Sequence, residues 1–425
     1  MSGFAPGGSA WLIAICVSRV GSYMVYIAYA ATLPVLQREW HLSGTAAGSI
    51  ASAFQVAYAL SLMGCSTLAD RVGARRVFLV GTVTSAVGAA AFATYARDYW
   101  SGLWLYTLLG LAQGSMYTTG ILLVAENVPV ARRGRAMGAY LAGHSLGLAL
   151  ALMLVGAATP RGGYVLAFWL LALGAIVGGA VAWIAVCSTA NVVTARAAGQ
   201  RFVGEVLRNR PAMLLIAGYT FHSWELLGMW AWTPAFLAAC FVAAGAELSR
   251  GAGLGAYMTS LFHLTGMVAA FLAGVFADRF GRTPIILIMA AVSAACSLVF
   301  GWLIGTSLAL IVGVGLLYGF AALGDSPIYS TAITEVVAPA YRGSALALRS
   351  LLGYGAGAIA PLLFGAILDR HGGQTAAAWG WAFVSLGIAG LGAILSAVLL
   401  YCRTEAEVLH RGAAHRDSAL AGSLR

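Results

Sequence analysis

"LADRVGARR", residues 68–76, places an acid, an arginine and a glycine directly after an apolar run. "FADRFGR", residues 276–282, repeats most of this stretch later in the chain. Asp70 and Asp278 therefore stand 208 positions apart in a chain of 425 residues. A charged turn that recurs after half the chain predicts that the two halves of the protein are duplicates.

A second pair of segments extends the repeat beyond this turn. "ENVPVARRGRA" (126–136) and "EVVAPAYRGSA" (335–345) match at an offset of 209, and in both a glutamate ends an apolar run before an Arg-Gly pair. Internal repeats of this kind are typical of transporters built from two six-helix halves. We predict an N-terminal half at 1–187, a linker at 188–211, a C-terminal half at 212–402 and a tail at 403–425.

The composition predicts a chain that lies within a membrane. It is 61% hydrophobic and 9% charged, with a mean hydropathy of +0.87, whereas soluble proteins carry roughly 25% charged residues. About 20 apolar residues are needed for a helix to cross the hydrocarbon core. Twelve runs are long enough, and we number them as spans 1 to 12: 9–33, 46–69, 77–96, 101–124, 136–157, 165–187, 212–236, 253–277, 284–304, 308–333, 344–368 and 378–402.

The placement of arginine predicts the orientation. The sequence has no lysine, so arginine supplies all 24 basic residues. With a cytoplasmic N-terminus, 17 arginines fall on the inner side and 5 in outer loops, while two lie within spans. This bias indicates a multi-pass protein of the cell inner membrane with both termini and the linker cytoplasmic. The formal charge of +10 then reflects topology and gives no reason to expect a nucleic-acid partner.

At the two charged turns the chain resembles the major facilitator superfamily, whose signature reads G-x-L-A-D-R-x-G-R-[KR]. The second copy matches at Gly274, Ala277, Asp278, Arg279, Gly281 and Arg282. The first matches at Ala69, Asp70, Arg71 and Gly73, but Ser66 replaces the leading glycine and the basic pair moves to Arg75 and Arg76. The resemblance implies an all-α membrane protein with twelve transmembrane helices in two pseudo-symmetric six-helix halves, working by alternating access and as a monomer.

In that family the motif holds the cytoplasmic side closed. An aspartate at the end of a span can accept hydrogen bonds from the N-terminus of a neighbouring helix and pair with an arginine. By resemblance, the cytoplasmic gate comprises Asp70, Arg71, Glu126, Arg133, Asp278, Arg279, Glu335 and Arg342.

Charged residues inside spans are functional candidates, because burying a charge in lipid is costly. The resemblance implies that spans 1, 4, 7 and 10 line a central cavity, with spans 2, 5, 8 and 11 beside them. Every intramembrane charge falls on these spans, as do His144, His222 and His263. Polar neighbours at helical spacing complete the predicted substrate site, which comprises Arg19, Tyr23, Tyr26, Gln113, Tyr117, His222, Glu225, Asp325, Tyr329 and Arg349.

Two charge pairs are expected among these residues. By the offset of 208, Arg19 corresponds to Leu227 in the second half, which lies two residues from Glu225. We therefore expect Arg19 and Glu225 to lie at similar depth and attract each other. Asp325 and Arg349 lie at nearly equal distances from the turn between spans 10 and 11, and could pair either structurally or as gating partners. His144 and His263 are expected to be hydrogen-bonded interior residues.

These residue types predict the transport chemistry. A mid-span arginine is a permanently charged planar donor for carboxylates and other oxyanions. Glu225 beside His222 is suited to carry a proton, with Asp325 as the next candidate. We therefore expect a secondary active transporter for a small organic anion or polar metabolite, coupled to protons by symport.

Proton-antiport drug efflux is the alternative, and the aromatic residues of the cavity keep it open. Against it, "GHSLGLA" (143–149) lacks the Gly-Pro of antiporters, and Gly110 stands where antiporters carry an arginine. A third possibility, a non-transporting sensor, leaves the intramembrane charges unexplained. The sequence has no HExxH motif, P-loop or zinc-type cysteine spacing, so we predict no enzyme activity, no cofactor and no metal site.

Overall fold

The computed structural model describes residues 5–193, 203–338 and 341–423. Within these ranges the chain is helical and contains no strand. In the first half the helices run Ser9–Tyr23, a 3-10 turn Met24–Ile27, Ala28–Glu39, Gly44–Val72, Ala74–Tyr95, Tyr99–Asn127 and Val130–Val186. In the second half they run Arg210–Ala243, Leu248–Phe280, Arg282–Phe300, a 3-10 turn Gly301–Leu303, Leu308–Gly324, Ser326–Val336, Arg342–Gly357, Ala360–Arg370 and Ala376–Ser423.

The long helix Val130–Val186 contains two spans. Its backbone leaves the helical region at Gly162 and Gly163, and Gly163 has a φ of 62°, a value that favours glycine. Taking this break into account, the eleven segments of membrane-crossing length in the described part of the chain make twelve spans. The predicted fold, an all-α membrane protein of twelve spans, is confirmed.

Both charged turns require a glycine at the corresponding position. Gly73 and Gly281 have φ values of 91° and 94°, which residues with a Cβ rarely adopt. Each glycine ends one long helix and begins the next, so each half reverses its chain in a single residue. We call the membrane face that holds these two turns the turn face, and the other the opposite face.

Three features were not anticipated from the sequence or cannot be compared with it in full. The last helix continues to Ser423, through most of the predicted tail, because that stretch contains no proline to end it. The predicted linker lies partly outside the described residues, which include a short π-helical turn at Val203–Leu207. Spans 10 and 11 are each interrupted near mid-membrane, after Gly324 and Gly357, and the first interruption places Asp325 between two helical segments.

Candidate substrate and coupling site

Arg19 lies in a box of tyrosine rings in the first half. Its side chain is buried, and its guanidinium carbon is 3.8 Å from the ring centre of Tyr23. The rings of Tyr140 and Tyr117 lie at 4.7 Å and 5.1 Å. Aromatic faces attract a cation, and more strongly when water is excluded. The box therefore stabilises the arginine without neutralising its charge.

The guanidinium has free hydrogen-bond donors. Nη1 donates to the Tyr140 hydroxyl at 3.3 Å, whereas Nε and Nη2 have no hydrogen-bond partner among the described residues. The free pair forms one edge of the guanidinium fork, which can bind both oxygens of a carboxylate. Gly143 faces this side chain, and a Cβ there would lie 3.2 Å from Arg19 Cγ, so glycine leaves space beside the arginine.

Of the predicted polar neighbours, Gln113 holds the helices together. Its Nε2 donates to the carbonyl of Ser22 at 2.6 Å and to Ser85 Oγ at 2.8 Å, which ties span 4 to spans 1 and 3. The Tyr23 hydroxyl donates to the Gln113 carbonyl at 3.3 Å, and Tyr26 donates to Gln55 Oε1 at 3.0 Å. The first of these bonds fixes the Tyr23 ring that lies over Arg19, and the second fixes the neighbouring Tyr26 ring.

The expected attraction between Arg19 and Glu225 is absent, so that prediction was wrong. Glu225 Oε1 accepts a hydrogen bond from Ser293 of span 9 at 2.7 Å, and the Tyr318 hydroxyl of span 10 lies beside the same carboxyl group. The other carboxylate oxygen would lie 3.0 Å from a Cβ on Gly390 of span 12. The sequence offset placed Arg19 two residues away from Glu225, and two residues rotate an α-helix by about 200°.

The expected pair of Asp325 and Arg349 is also wrong. Asp325 Oδ1 lies 3.2 Å from Nδ1 of His222, close but not aligned as a hydrogen bond, and His222 Nε2 contacts Ser326 Oγ at 2.7 Å. Equal distance from a turn places two residues at similar heights on neighbouring helices, but it does not give the direction in which each side chain points.

Arg349 instead makes contacts that parallel those of Arg19. It donates to the hydroxyls of Ser330 and Ser350, and its guanidinium carbon lies 4.1 Å from the ring centre of Tyr219. That ring is 5.6 Å from the ring of His222, so Arg349, Tyr219, His222 and Asp325 form one continuous series. The ring of Tyr329 packs against the rings of Tyr219 and His222, and its hydroxyl has no hydrogen-bond partner among the described residues.

Two histidines expected to be hydrogen-bonded leave Nδ1 unpartnered within the described residues, which corrects that expectation. His144 of span 5 and His263 of span 8 lie 6.0 Å and 5.5 Å from the ring of Trp230, measured between centres. Tyr26 lies 6.1 Å from the same indole. These rings join the two halves. Tyr26 belongs to the substrate site predicted from the sequence, but the sequence did not place Trp230 between the two histidines, because the spacing of Trp230 alone is that of any buried aromatic group.

Among the predicted gate residues, the structure brings Asp278 and Glu335 together through Arg282. Arg282 Nη1 lies 2.5 Å from Asp278 Oδ1, and Nη2 lies 2.9 Å from Glu335 Oε1. This cluster joins spans 8, 9 and 10 of one half. Arg279, which was assigned to the gate, lies over the ring of Phe280 at 5.3 Å. Arg133 donates to a backbone carbonyl of its own half, that of Val128, at 3.4 Å.

Two six-helix halves around buried, incompletely satisfied polar groups define a multi-pass membrane transporter. The sequence profile of the Major Facilitator Superfamily matches residues 13–249 and 241–422. The chain belongs to that superfamily. It is accordingly a secondary transporter of small molecules and not an enzyme.

Relatives and solved structures agree with this assignment. A protein of Streptomyces coelicolor named as a probable transporter is 29% identical over 400 residues, covering 89% of this chain and 85% of the relative. A gallate transporter of Pseudomonas putida is 28% identical over 312 residues, covering 66% and 68%. The crystal structure of a point mutant of the nucleoside transporter NupG superposes with a TM-score of 0.73 at 14% identity, covering 92% of this chain and 100% of that one, and shares its fold.

Proposed function

We propose that this protein carries a small organic anion with a carboxylate group across the inner membrane, together with protons. One observation carries the proposal: Arg19 is buried in an aromatic box with Nε and Nη2 unpartnered in the described structure. The similarity to a gallate transporter supports an aromatic or other planar carboxylate. The turn face is the cytoplasmic face in this proposal, because the arginine bias places the termini there.

The energetics favour an anionic substrate. A buried donor without an acceptor costs about 1–3 kcal/mol, and more when it is charged. A bound carboxylate removes this cost at both free nitrogens of Arg19 and neutralises the guanidinium at the same time. An amphipathic cation would instead be repelled by the same group. The site is therefore expected to select anions by charge and carboxylates by their planar shape.

Glu225, His222 and Asp325 remain our proposed proton-carrying residues. Burying an ionised carboxylate without a paired cation costs several kcal/mol, and Glu225 is held by hydroxyl groups, without a cation beside it in the described residues. Asp325 has an imidazole next to it and begins the helix Ser326–Val336, whose N-terminus stabilises negative charge. Glu225 and Asp325 are both buried, so each is a candidate to carry the proton.

The substrate proposal is tested by counterflow of radiolabelled gallate in proteoliposomes. We expect Arg19→Ala to weaken binding by about 2 kcal/mol or more, roughly 30-fold, because charged hydrogen bonds are lost. Arg19→Lys should recover part of this loss, since it keeps the charge and loses the fork. Arg250→Ala, at an exposed arginine, is the matched control.

The alternatives give different outcomes in the same assay. For a drug exporter, Arg19→Ala should leave tetraphenylphosphonium binding unchanged or improve it, and gallate should not exchange. A non-transporting protein should show no counterflow with either probe. Gallate exchange that is equal in wild type and Arg19→Ala would refute the proposed site.

Proton coupling is tested with Glu225→Gln and Asp325→Asn, each of which mimics a protonated acid. The variant at the coupling residue should keep substrate exchange and lose accumulation driven by an imposed pH gradient. Accumulation that survives in both variants would rule out proton coupling at these two sites.

A further inference from the structure

A group of polar atoms without partners lies in the second half, away from Arg19. Among the described residues, Trp230 Nε1, Thr233 Oγ1 and His263 Nδ1 have no hydrogen-bond partner. All three side chains are at most 9% exposed. Nearly all buried polar groups in proteins are hydrogen-bonded, so three unpaired groups in one place require an explanation.

These three residues line one small cavity. It has a volume of about 10 Å³. The remaining lining consists of three apolar side chains and one hydroxyl that already donates to a backbone carbonyl of its own helix: Met229, Phe262, Leu323 and Thr259. A volume of this size accommodates about one oxygen atom with its hydrogens. The indole N–H can only donate, whereas the hydroxyl and the imidazole nitrogen can donate or accept. This combination suits a hydroxyl group, which accepts one hydrogen bond and donates another.

The cavity is connected to the Arg19 box through aromatic rings. Trp230 lies 6.0 Å from His144, His144 lies 4.7 Å from Tyr23, and Arg19 lies over the Tyr23 ring at 3.8 Å. His144 also has an unpartnered Nδ1 in the described structure. A chain of flat rings therefore connects the two polar sites, and the two sites belong to different halves of the protein.

We propose that Trp230, Thr233 and His263 form a second subsite that binds a hydroxyl oxygen of the substrate. The inference rests on the proposed function, in which Arg19 binds the carboxylate. The substrate class is then a hydroxylated, ring-containing carboxylate whose two polar ends contact opposite halves. Such a ligand favours the arrangement in which both halves approach it, which links binding to the movement of the halves.

The test compares three probes, benzoate, 4-hydroxybenzoate and gallate, for binding to the purified full-length protein. Wild type should bind the hydroxylated probes about five- to tenfold more tightly than benzoate, the effect of one net hydrogen bond. Thr233→Val and Trp230→Phe should each remove this preference, read as the ratio of the affinities for the hydroxylated probes and for benzoate in the same variant. Thr220→Val is the matched control, since Thr220 lies on the same helix and donates to the Ile216 carbonyl at 2.8 Å.

Each other outcome has a definite meaning. Equal affinity for benzoate and the hydroxylated probes in wild type would overturn the subsite and leave the Arg19 proposal intact, as expected if only water occupies the cavity. Equal weakening of all probes in Thr233→Val and Trp230→Phe would show that these residues only pack, and would also overturn it. Binding of no probe, or binding that does not depend on Arg19, would overturn both proposals.

Discussion

The contact surface between the two halves, which we call the seam, is tightly packed near one membrane face and loosely packed near the other. At the opposite face, spans 5 and 8 touch through glycine, and a Cβ on Gly156 would lie 2.9 Å from the Gly253 carbonyl oxygen. Gly138 lies 18 residues before Gly156 on span 5, which is five full turns, so it shares the same helix face. A Cβ on Gly138 would meet nothing described within 4 Å. Spans 5 and 8 are therefore in close contact at Gly156 near the opposite face and not at Gly138 near the turn face.

Polar contacts differ in the same way. At the opposite face Asp369 of span 11 accepts hydrogen bonds from Gly44 N at 2.6 Å and Thr45 N at 2.8 Å, at the start of span 2 in the other half. At the turn face Arg282 joins residues of its own half. Asp369 begins a third D-R-x-G sequence, and its glycine, Gly372, has a φ of 88° like the two turn glycines. The same short motif thus makes contacts within one half at the turn face and makes hydrogen bonds between the halves at the opposite face.

The largest effect on this asymmetry is expected from Gly156→Ala. The added methyl group meets backbone and the Tyr257 ring, and overpacking of this kind costs about 2 kcal/mol. The opposite face should therefore open. Spin labels at Glu39 and Ala244, with native cysteines replaced, measure the separation of the halves, and Gly138→Ala is the control. Equal distances in wild type and Gly156→Ala would refute tight packing at this position.

Asp369→Ala should have the next largest effect. Removing a carboxylate from a helix N-terminus costs about 1–2 kcal/mol. Asp369 is exposed, so water replaces part of its hydrogen bonds and the cost stays within this range. The same spin-label pair should report a shift toward the open opposite face. Asp98→Ala is the control, because Asp98 caps the start of span 4 within one half. A shift of the same size in Asp98→Ala would show that loss of any cap, and not the link between halves, is responsible.

A smaller shift is expected for Ser52→Ala. Ser52 Oγ accepts a hydrogen bond from Leu362 N at 3.1 Å across the seam, and one such bond contributes about 1 kcal/mol. Thr67→Val, whose wild-type hydroxyl bonds only within span 2, should leave the distance unchanged. A Ser52→Ala shift larger than that of Asp369→Ala would contradict this ranking of contacts.

Arg282→Ala should change the separation at the opposite face least. Its ion pairs are partly exposed and lie within one half, so the shift should be below about 0.5 kcal/mol. The stability of the C-terminal half should fall instead, seen as earlier unfolding in a detergent melt. An opening or closing of the opposite face as large as that in Asp369→Ala would show that the turn-face cluster does act between the halves.

Much of the fold could be predicted from the sequence, for identifiable reasons. Apolar runs of about 20 residues must span the membrane as helices, since lipid cannot satisfy free backbone groups. The repeated turn required glycine at positions 73 and 281, and both have positive φ values. The site was predictable only as a set of residues. Arg19, Glu225 and Asp325 were selected because charge is costly in lipid, and all three are buried.

What the sequence by itself determined was the number of spans, the duplication and which charges lie within spans, since these depend on composition and counting along one helix. Only the tertiary structure decided which partner each charge contacts. A residue's direction changes by about 100° per position, so a register that is wrong by one or two positions turns a side chain away from its expected partner. Glu225 therefore contacts Ser293 and not Arg19, and two donors of the Arg19 guanidinium have no partner among the described residues.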